Sequence, residues 1–170
     1  MIDLTTERTR LRPLTIDDVD VAHALWTDPA VRKYLWDDVI IDRERAAEVV
    51  AASSEAFEAR GYGLWLVHLK ESGEPIGFCG LRPADSGAPE LLYGLWPHWW
   101  GRGLAAEAAH AVLGYAFSVL GHHVVEGATD PPNPASVRVM ERLGMTCIRR
   151  GTLNGLDTLF YHVTRETFER

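Results

Sequence analysis

A strand-like segment that passes through a Gly-x-Gly turn into a long alanine-rich helix constrains this chain more than any other feature. The segment extends from Trp96 to Phe117, and Gly101 and Gly103 form the turn. The first amides of such a helix have no intrahelical partner, and the aligned peptide dipoles place partial positive charge there. Because glycine lacks a Cβ, the backbone can approach a phosphate group closely. The pattern therefore predicts a site where main-chain amides bind the pyrophosphate of a cofactor.

Two common phosphate-binding patterns do not describe this turn. It has no Gly-Lys-Ser/Thr sequence, and the position where a dinucleotide-binding Gly-x-Gly-x-x-Gly needs its last glycine is Ala106. A lone Gly-x-Gly turn also occurs where it serves packing alone. The turn therefore needs support from the rest of the sequence.

The hydrophobic periodicity along the chain predicts an alternation of strands and helices. It predicts an edge strand at 8–14, since the run ends at a proline. It then predicts helices at 18–26, 28–34 and 42–60, strands at 62–69, 75–82 and 90–96, a helix at 104–117, a strand at 123–129, a helix at 135–143, and strands at 146–150 and 156–163. This order indicates one α/β domain over residues 1–170, without a linker or repeat.

Charge and composition exclude several classes of protein. The 170 residues are 46% apolar and carry a formal net charge of −7, which disfavours a nucleic-acid partner. No apolar run approaches about 18 residues and the N-terminus lacks an apolar signal-like segment, so we expect a cytoplasmic protein without a membrane span. Cys79 and Cys147 lie in apolar strands, which predicts buried, reduced thiols. The histidines and cysteines show no metal-ligand spacing, so we expect no metal.

The run from Leu95 to Ala105, with Trp100-Gly101-Arg102-Gly103 at its centre, resembles the acetyl-CoA motif Q/R-x-x-G-x-G/A of the GCN5-related N-acetyltransferases (GNAT). The Trp-Gly-Arg-Gly sequence and the following Glu107-Ala108 are most similar to the ribosomal-protein N-terminal acetyltransferase-like (Rim-type) branch. A second block, residues 133–145, resembles the N-x-x-S/A-x-x-x-x-x-x-L-G-F segment of the same family. The resemblance covers nearly the whole chain.

The resemblance implies a mixed sheet splayed into a V, with helices on both faces and the pantetheine arm of acetyl-CoA extending strand 90–96. Arg102 either adds a charge-assisted contact to phosphate or stays solvated. Asn133 either hydrogen-bonds the pantetheine, caps a helix, or does both. The residues that we expect to hold acetyl-CoA are Leu95, Trp96, Trp100, Gly101, Arg102, Gly103, Leu104, Ala105, Ala106, Asn133 and Ser136.

Acetyl transfer to an amine needs a base, an oxyanion donor and a proton for the departing thiolate. Glu90 is the first candidate for the base because it begins the strand beside the cofactor, although a surface carboxylate with a water chain is an alternative. A backbone N–H near Leu95 is expected to meet the oxyanion. Many family members carry a tyrosine where this chain has Met140, so Ser136 is the candidate donor, and helix capping is its alternative role.

The acceptor amine stays open at this stage. An α-amino group has a pKa of about 7.7–8 and a lysine amine about 10.4, so an α-amino or small-molecule amine demands less of the base. Trp36, Trp65, Trp96, Trp99 and Trp100 either form an aromatic acceptor pocket or pack in the core. The alternative to an enzyme is a CoA-binding sensor or partner-binding module, which the absence of the tyrosine motivates. A homodimer is compatible with the sequence.

Overall fold

An eight-stranded mixed sheet forms the centre of the molecule in a computed structural model, which describes residues 2–170. The strands are Leu4–Thr5 (β1), Thr9–Pro13 (β2), Leu64–Leu69 (β3), Pro75–Pro83 (β4), Pro89–Leu95 (β5), Val124–Thr129 (β6), Thr146–Leu153 (β7) and Leu156–Thr164 (β8). The helices are Val19–Thr27 (α1), Pro29–Leu35 (α2), Arg43–Arg60 (α3), Leu104–Ser118 (α4), Pro134–Arg142 (α5) and Arg165–Phe168 (α6). The strand order is β1-β2-β3-β4-β5-β6-β8-β7.

Every predicted strand and helix is present in the predicted order, and the structure adds β1 and the four-residue α6, which were not predicted. Local sequence explains most of the boundaries. The Asp42 side chain accepts a hydrogen bond from the Arg45 amide at the start of α3, and Gly61 ends that helix in the left-handed conformation. The prediction that 8–14 is an edge strand is wrong. The two-residue β1 pairs with β2 and takes the edge, and two residues are too few to leave a periodic pattern.

The sheet splits between β5 and β6. These two strands run parallel and are paired in register only at Glu90 and Glu126, whereas β4 pairs with β5 along seven positions. All other neighbouring strands are antiparallel. Beyond Glu90 the β6-facing backbone edge of β5 has no ladder partner among residues 2–170, as the expected V-shaped split requires.

The core lies on both faces of the sheet. Trp65 and Val67 of β3 belong to one buried cluster with α4, and the alternating Leu64 and Leu66 belong to a second cluster with α1 and α3. Trp65 is fully buried and donates its indole N–H to the Ile2 carbonyl, so its proposed place in an aromatic acceptor pocket is wrong.

The two cysteines lie in different environments. Cys79 is buried in β4, as expected, and its burial raises the pKa of the thiol far above its ordinary value. Cys147 is exposed, so the prediction of a second buried thiol is wrong. It lies on β7, an edge strand that is exposed along nearly its whole length.

Neither a membrane-spanning helix nor a metal-binding cluster is found within residues 2–170. None of the described helices combines the length and apolarity needed to cross a bilayer. No group of three or more His, Cys, Asp or Glu side chains in this part of the chain is placed to hold a metal ion.

Candidate functional site

A cleft of about 990 Å³ opens where β5 and β6 separate. The α4 N-terminus and β5 form one side, α5 and the end of β6 form another, and α1 to α3 close the far end. The sequence-predicted residues that line it are Glu90, Leu95, Trp100, Gly101, Gly103, Leu104, Ala105, Ala106, Asn133 and Ser136. Trp96 and the Arg102 side chain do not line it: Trp96 packs against the second core cluster, and Arg102 stacks on Trp99.

The Gly-x-Gly turn presents free main-chain donors to this cleft. Gly101 and Gly103 have φ values of 74° and 76°, a region that L side chains rarely adopt. Gly103 precedes α4 and supplies no side-chain cap, and the first intrahelical bond runs from the Glu107 amide to the Gly103 carbonyl at 3.0 Å. The amides of residues 104–106 are therefore left without an intrahelical partner, at the positive end of the helix dipole.

An ion-pair network fixes this turn to the β1–β2 connection. Arg8 donates from Nη1 to the Arg102 carbonyl at 3.0 Å and pairs with the Glu107 carboxylate at 2.6 Å. Glu107 also accepts from the Thr6 hydroxyl and from the Arg8 amide. Partial burial raises the pKa of Glu107, but these hydrogen bonds outweigh it and hold the pKa below its ordinary value.

Two guanidinium groups that the sequence did not single out lie beside the turn. Arg142 Nη1 and Arg8 Nη2 are each 3.6 Å from the position that a Cβ would occupy on Gly103. Arg102, the cation expected there, instead lies with its guanidinium carbon 4.6 Å from the centre of the Trp99 ring. Nothing in the local sequence marks Arg142, because it reaches the turn from the far end of α5.

At the end of β5, the backbone N–H of Leu95 faces the cleft instead of pairing with β4. The Trp96 amide donates to the Ile76 carbonyl of β4 at 3.0 Å. Because alternate residues of a strand bond to opposite sides, the Leu95 N–H points away from β4. The Leu95 carbonyl accepts a hydrogen bond from Trp100 Nε1 at 2.7 Å. This contact leaves the Leu95 N–H as the main-chain donor at the strand end.

Asn133 and Ser136 meet at the start of α5. The Asn133 Oδ1 accepts the Ser136 amide at 3.2 Å, so the capping role anticipated for Asn133 is present. The Ser136 hydroxyl lies 2.8 Å from the hydroxyl of Tyr93 on β5. No local pattern marked Tyr93 as a site residue, because it lies 43 positions from Ser136 in the chain. Met140, which stands where many family members carry a tyrosine, is only 1% exposed.

Glu90 lies at the point where the sheet divides. Its side chain is only 14% exposed, which is less than a surface carboxylate at a strand end would show. Arg82 donates from Nε to Glu90 Oε2 at 2.7 Å. Since this bond engages one carboxylate oxygen, Oε1 has no recorded partner among the described residues and is available to a group in the cleft.

Aromatic rings and carboxylates line the end of the cleft that α1 to α3 form. Trp36 and Tyr34 line it, and the Tyr34 hydroxyl donates to the Pro132 carbonyl at 3.0 Å. Asp37 and Asp130 line the same region. Burial is the main reason that the pKa of Asp130 lies above its ordinary value, and the nearby charges of Asp37 and Asp157 raise it further.

Comparison with known proteins places this fold and cleft in a family. The family model described as an acetyltransferase (GNAT) domain matches residues 8–146. An uncharacterized N-acetyltransferase, p20 of Bacillus licheniformis, is 30% identical over 145 residues, which cover 84% of this chain and 82% of p20. An acetyltransferase structure from Agrobacterium tumefaciens is 28% identical with a TM-score of 0.86, and the match covers 97% of this chain and 95% of that one.

Two more distant structures share the fold. RimL, a ribosomal L7/L12 alpha-N-protein acetyltransferase in complex with coenzyme A, is 20% identical with a TM-score of 0.80 over 98% of this chain and 99% of its own. An aminoglycoside acetyltransferase, AAC(6')-Ib in complex with coenzyme A, is 18% identical with a TM-score of 0.80 over 95% of this chain and 98% of its own. Because the family model matches most of the chain and p20 is 30% identical over 84% of it, this chain belongs to the GNAT family of N-acetyltransferases.

Proposed function

We propose that this acetyltransferase moves the acetyl group of acetyl-CoA directly to a primary amine. The observation that carries the proposal is the row of unpartnered amides at residues 104–106, which opens onto the cleft between β5 and β6 beside two positive-φ glycines. A pyrophosphate fits this turn because main-chain N–H groups, the helix dipole and two nearby guanidinium groups all favour negative charge there. The pantetheine arm then follows the unpaired edge of β5 toward Glu90.

The chemistry follows from the groups around that path. Glu90 Oε1 accepts a proton from the amine, and the amine nitrogen attacks the thioester carbonyl. The Leu95 N–H donates to the oxygen that becomes negative in the tetrahedral intermediate. As the C–S bond breaks, its electron pair stays on sulfur, and Ser136 supplies the proton that completes the thiol. Neither cysteine lines the cleft, so the transfer proceeds without an acyl-cysteine.

The carboxylates at the far end of the cleft favour a cationic acceptor. Asp37 and Asp130 attract an ammonium group, and the aromatic rings of Tyr34 and Trp36 offer faces on which a cation or peptide packs. A protein N-terminus, the acceptor of the Rim-type branch that the motifs resemble, meets this description. A small-molecule amine meets it as well, and the aminoglycoside acetyltransferase that shares the fold acts on such a class.

A panel of amines tests the proposal. Each acceptor is offered with acetyl-CoA, and released thiol is measured. Peptides are used in pairs that differ only in which amine is blocked, the α-amino group or a lysine side chain, and small polyamines and amino sugars complete the panel. We expect thiol release with free α-amino peptides or a small amine. Tight acetyl-CoA binding without thiol release for any amine would instead support the sensor.

A further inference from the structure

Two hydroxyl groups from opposite sides of the cleft form a pair that the transfer scheme above uses only in part. Tyr93 extends from β5 and Ser136 from the first turn of α5, and both line the cleft. Their oxygens are 2.8 Å apart, and the Tyr93 hydroxyl is also 3.2 Å from the Ser136 carbonyl. No other hydrogen bond of either hydroxyl is recorded in the described part of the chain. The pair therefore links β5 to α5 across the cleft.

The single Tyr93 hydrogen has two acceptors within reach, Ser136 Oγ at 2.8 Å and the Ser136 carbonyl at 3.2 Å, and the shorter contact favours Oγ. Burial raises the pKa of Tyr93 well above its ordinary value, although the bond to Ser136 opposes this, so the resting phenol is neutral and carries its hydrogen. When Tyr93 donates that hydrogen to Ser136 Oγ, the serine hydrogen is free for a third group in the cleft. A first-turn serine without such a partner tends to turn its hydrogen toward nearby backbone carbonyls instead.

We propose, on the basis of the proposed function, that Tyr93 is a positioning residue that donates to Ser136 Oγ and so directs the Ser136 hydrogen at the sulfur of the leaving coenzyme A thiolate. When the C–S bond breaks, sulfur keeps the electron pair and takes the Ser136 proton. As that proton leaves, Oγ takes the Tyr93 proton, so the negative charge passes to the phenol oxygen, which holds it better than a serine oxygen does. Once the thiol has left, Tyr93 recovers a proton from water.

The position of Met140 supports this arrangement. The sequence has no tyrosine at this position, and the Met140 side chain is buried beside Gly127. Its Cε lies 3.3 Å from where a Cβ on that glycine would be. A phenol therefore does not reach the sulfur from α5. It enters from the opposite strand and acts through the serine. The chain thus keeps a tyrosine hydroxyl in the cleft at a place that its linear sequence does not indicate.

The pKa of the coenzyme A thiol in its complex with the protein tests the proposal without any acceptor amine. Thiolate absorbance is titrated with saturating coenzyme A, and the matching titration with desulfo-coenzyme A is subtracted to remove tyrosine signals. Because hydrogen bonds to a charged acceptor are stronger than neutral ones, we expect Ser136→Ala and Tyr93→Phe each to raise the pKa of the bound thiol by about 1.

The matched control is Tyr115→Phe, which removes a hydroxyl bonded to the Gly61 carbonyl at 2.8 Å, outside the cleft lining. This variant is expected to leave the thiol pKa at the wild-type value. A Tyr93→Phe protein that binds coenzyme A and also keeps the wild-type thiol pKa overturns the proposal. A wild-type protein that fails to bind coenzyme A overturns the proposed function instead, so the two failures are distinct.

Turnover with the best amine of the panel supplies a second readout. We expect Tyr93→Phe and Ser136→Ala each to lower kcat by about tenfold or more, with the KM for acetyl-CoA unchanged and the melting temperature lower by only a few degrees. The double variant is expected to be no slower than Ser136→Ala, because Tyr93 acts through that serine. Losses that multiply in the double variant would show that Tyr93 acts independently and would contradict the proposal.

Discussion

At the scale of single residues, the carboxylate at the division of the sheet is the group most open to test. We expect Glu90→Gln to lower kcat by about 100-fold, because an amide does not accept the amine proton and general-base catalysis contributes about 10²–10⁴-fold. The KM for acetyl-CoA is expected to stay unchanged, since the proposed pyrophosphate site lies at the other end of β5. Steady-state kinetics with the best acceptor amine measures both.

The control for this variant is Glu126→Gln. Glu126 pairs with Glu90 in register on β6, accepts a hydrogen bond from Ser86 at 2.9 Å and lies outside the cleft lining. It is expected to keep wild-type kcat. Equal losses in the two variants would mean that Glu90 acts through the sheet rather than on the amine, and full activity in Glu90→Gln would assign the proton to a water chain.

At the scale of secondary-structure elements, the ion pair between Arg8 in the β1–β2 connection and Glu107 of α4 is expected to make a pH-dependent contribution to stability. Because the pKa of Glu107 is lower in the folded protein than its ordinary value of 4.5, its ion pair is fully stabilising above that value and is lost as pH falls through the folded-state pKa. We expect Glu107→Gln to lower the free energy of unfolding at pH 7 by about 1 kcal/mol, a modest figure because Arg8 is half exposed to solvent.

Urea unfolding across pH measures this effect. The difference between wild type and Glu107→Gln is expected to shrink as the pH drops below 4.5, whereas Glu55→Gln on the exposed face of α3 leaves stability nearly unchanged throughout. A difference that is the same at pH 7 and pH 3 would show that shape, rather than charge, links α4 to the β1–β2 turn.

Element order and the phosphate turn were predictable because their signals are local. A glycine pair before an amphipathic helix, the Asp42 cap and the Gly61 stop each lie within a few residues of the structure they determine. The strand β1 was not predictable, since two residues carry no period. Cys147 was misjudged because an apolar run in an edge strand resembles one in a buried strand.

The residues of the candidate site that could not be predicted are those that lie far apart in the sequence and meet only in the folded chain. Tyr93 and Ser136 meet across a split in the sheet, and Arg8 and Arg142 approach Gly103 from elements near opposite ends of the chain. The alternation of residues along β5 predicts on which face of the sheet Tyr93 lies, but only the folded structure shows that its hydroxyl contacts Ser136. The family motifs identified the residues that bind through their backbone and left out the side chains that support them.

At the scale of the whole molecule, the cleft separates two parts of one sheet that a ligand would bridge. A ligand that binds only the folded state stabilises it by about 2.7 kcal/mol at 100 times its Kd. For a chain of this size we expect acetyl-CoA at that concentration to raise Tm by roughly 5–10 °C. Differential scanning fluorimetry measures the shift, and an unchanged Tm at saturating acetyl-CoA would contradict a cofactor site in the cleft.

In the proposed function, backbone donors at the Gly-x-Gly turn hold the pyrophosphate of acetyl-CoA, and calorimetry of acetyl-CoA binding to two glycine variants measures their contribution. Gly101 and Gly73 have φ values of 74° and 72°, and a Cβ on either meets nothing within 4 Å, so alanine introduces the same backbone strain at both. Only Gly101 lines the cleft. We predict that Gly101→Ala weakens binding by about tenfold or more while Gly73→Ala binds as wild type does. Equal affinities for all three proteins would mean that the Gly-x-Gly turn does not hold acetyl-CoA.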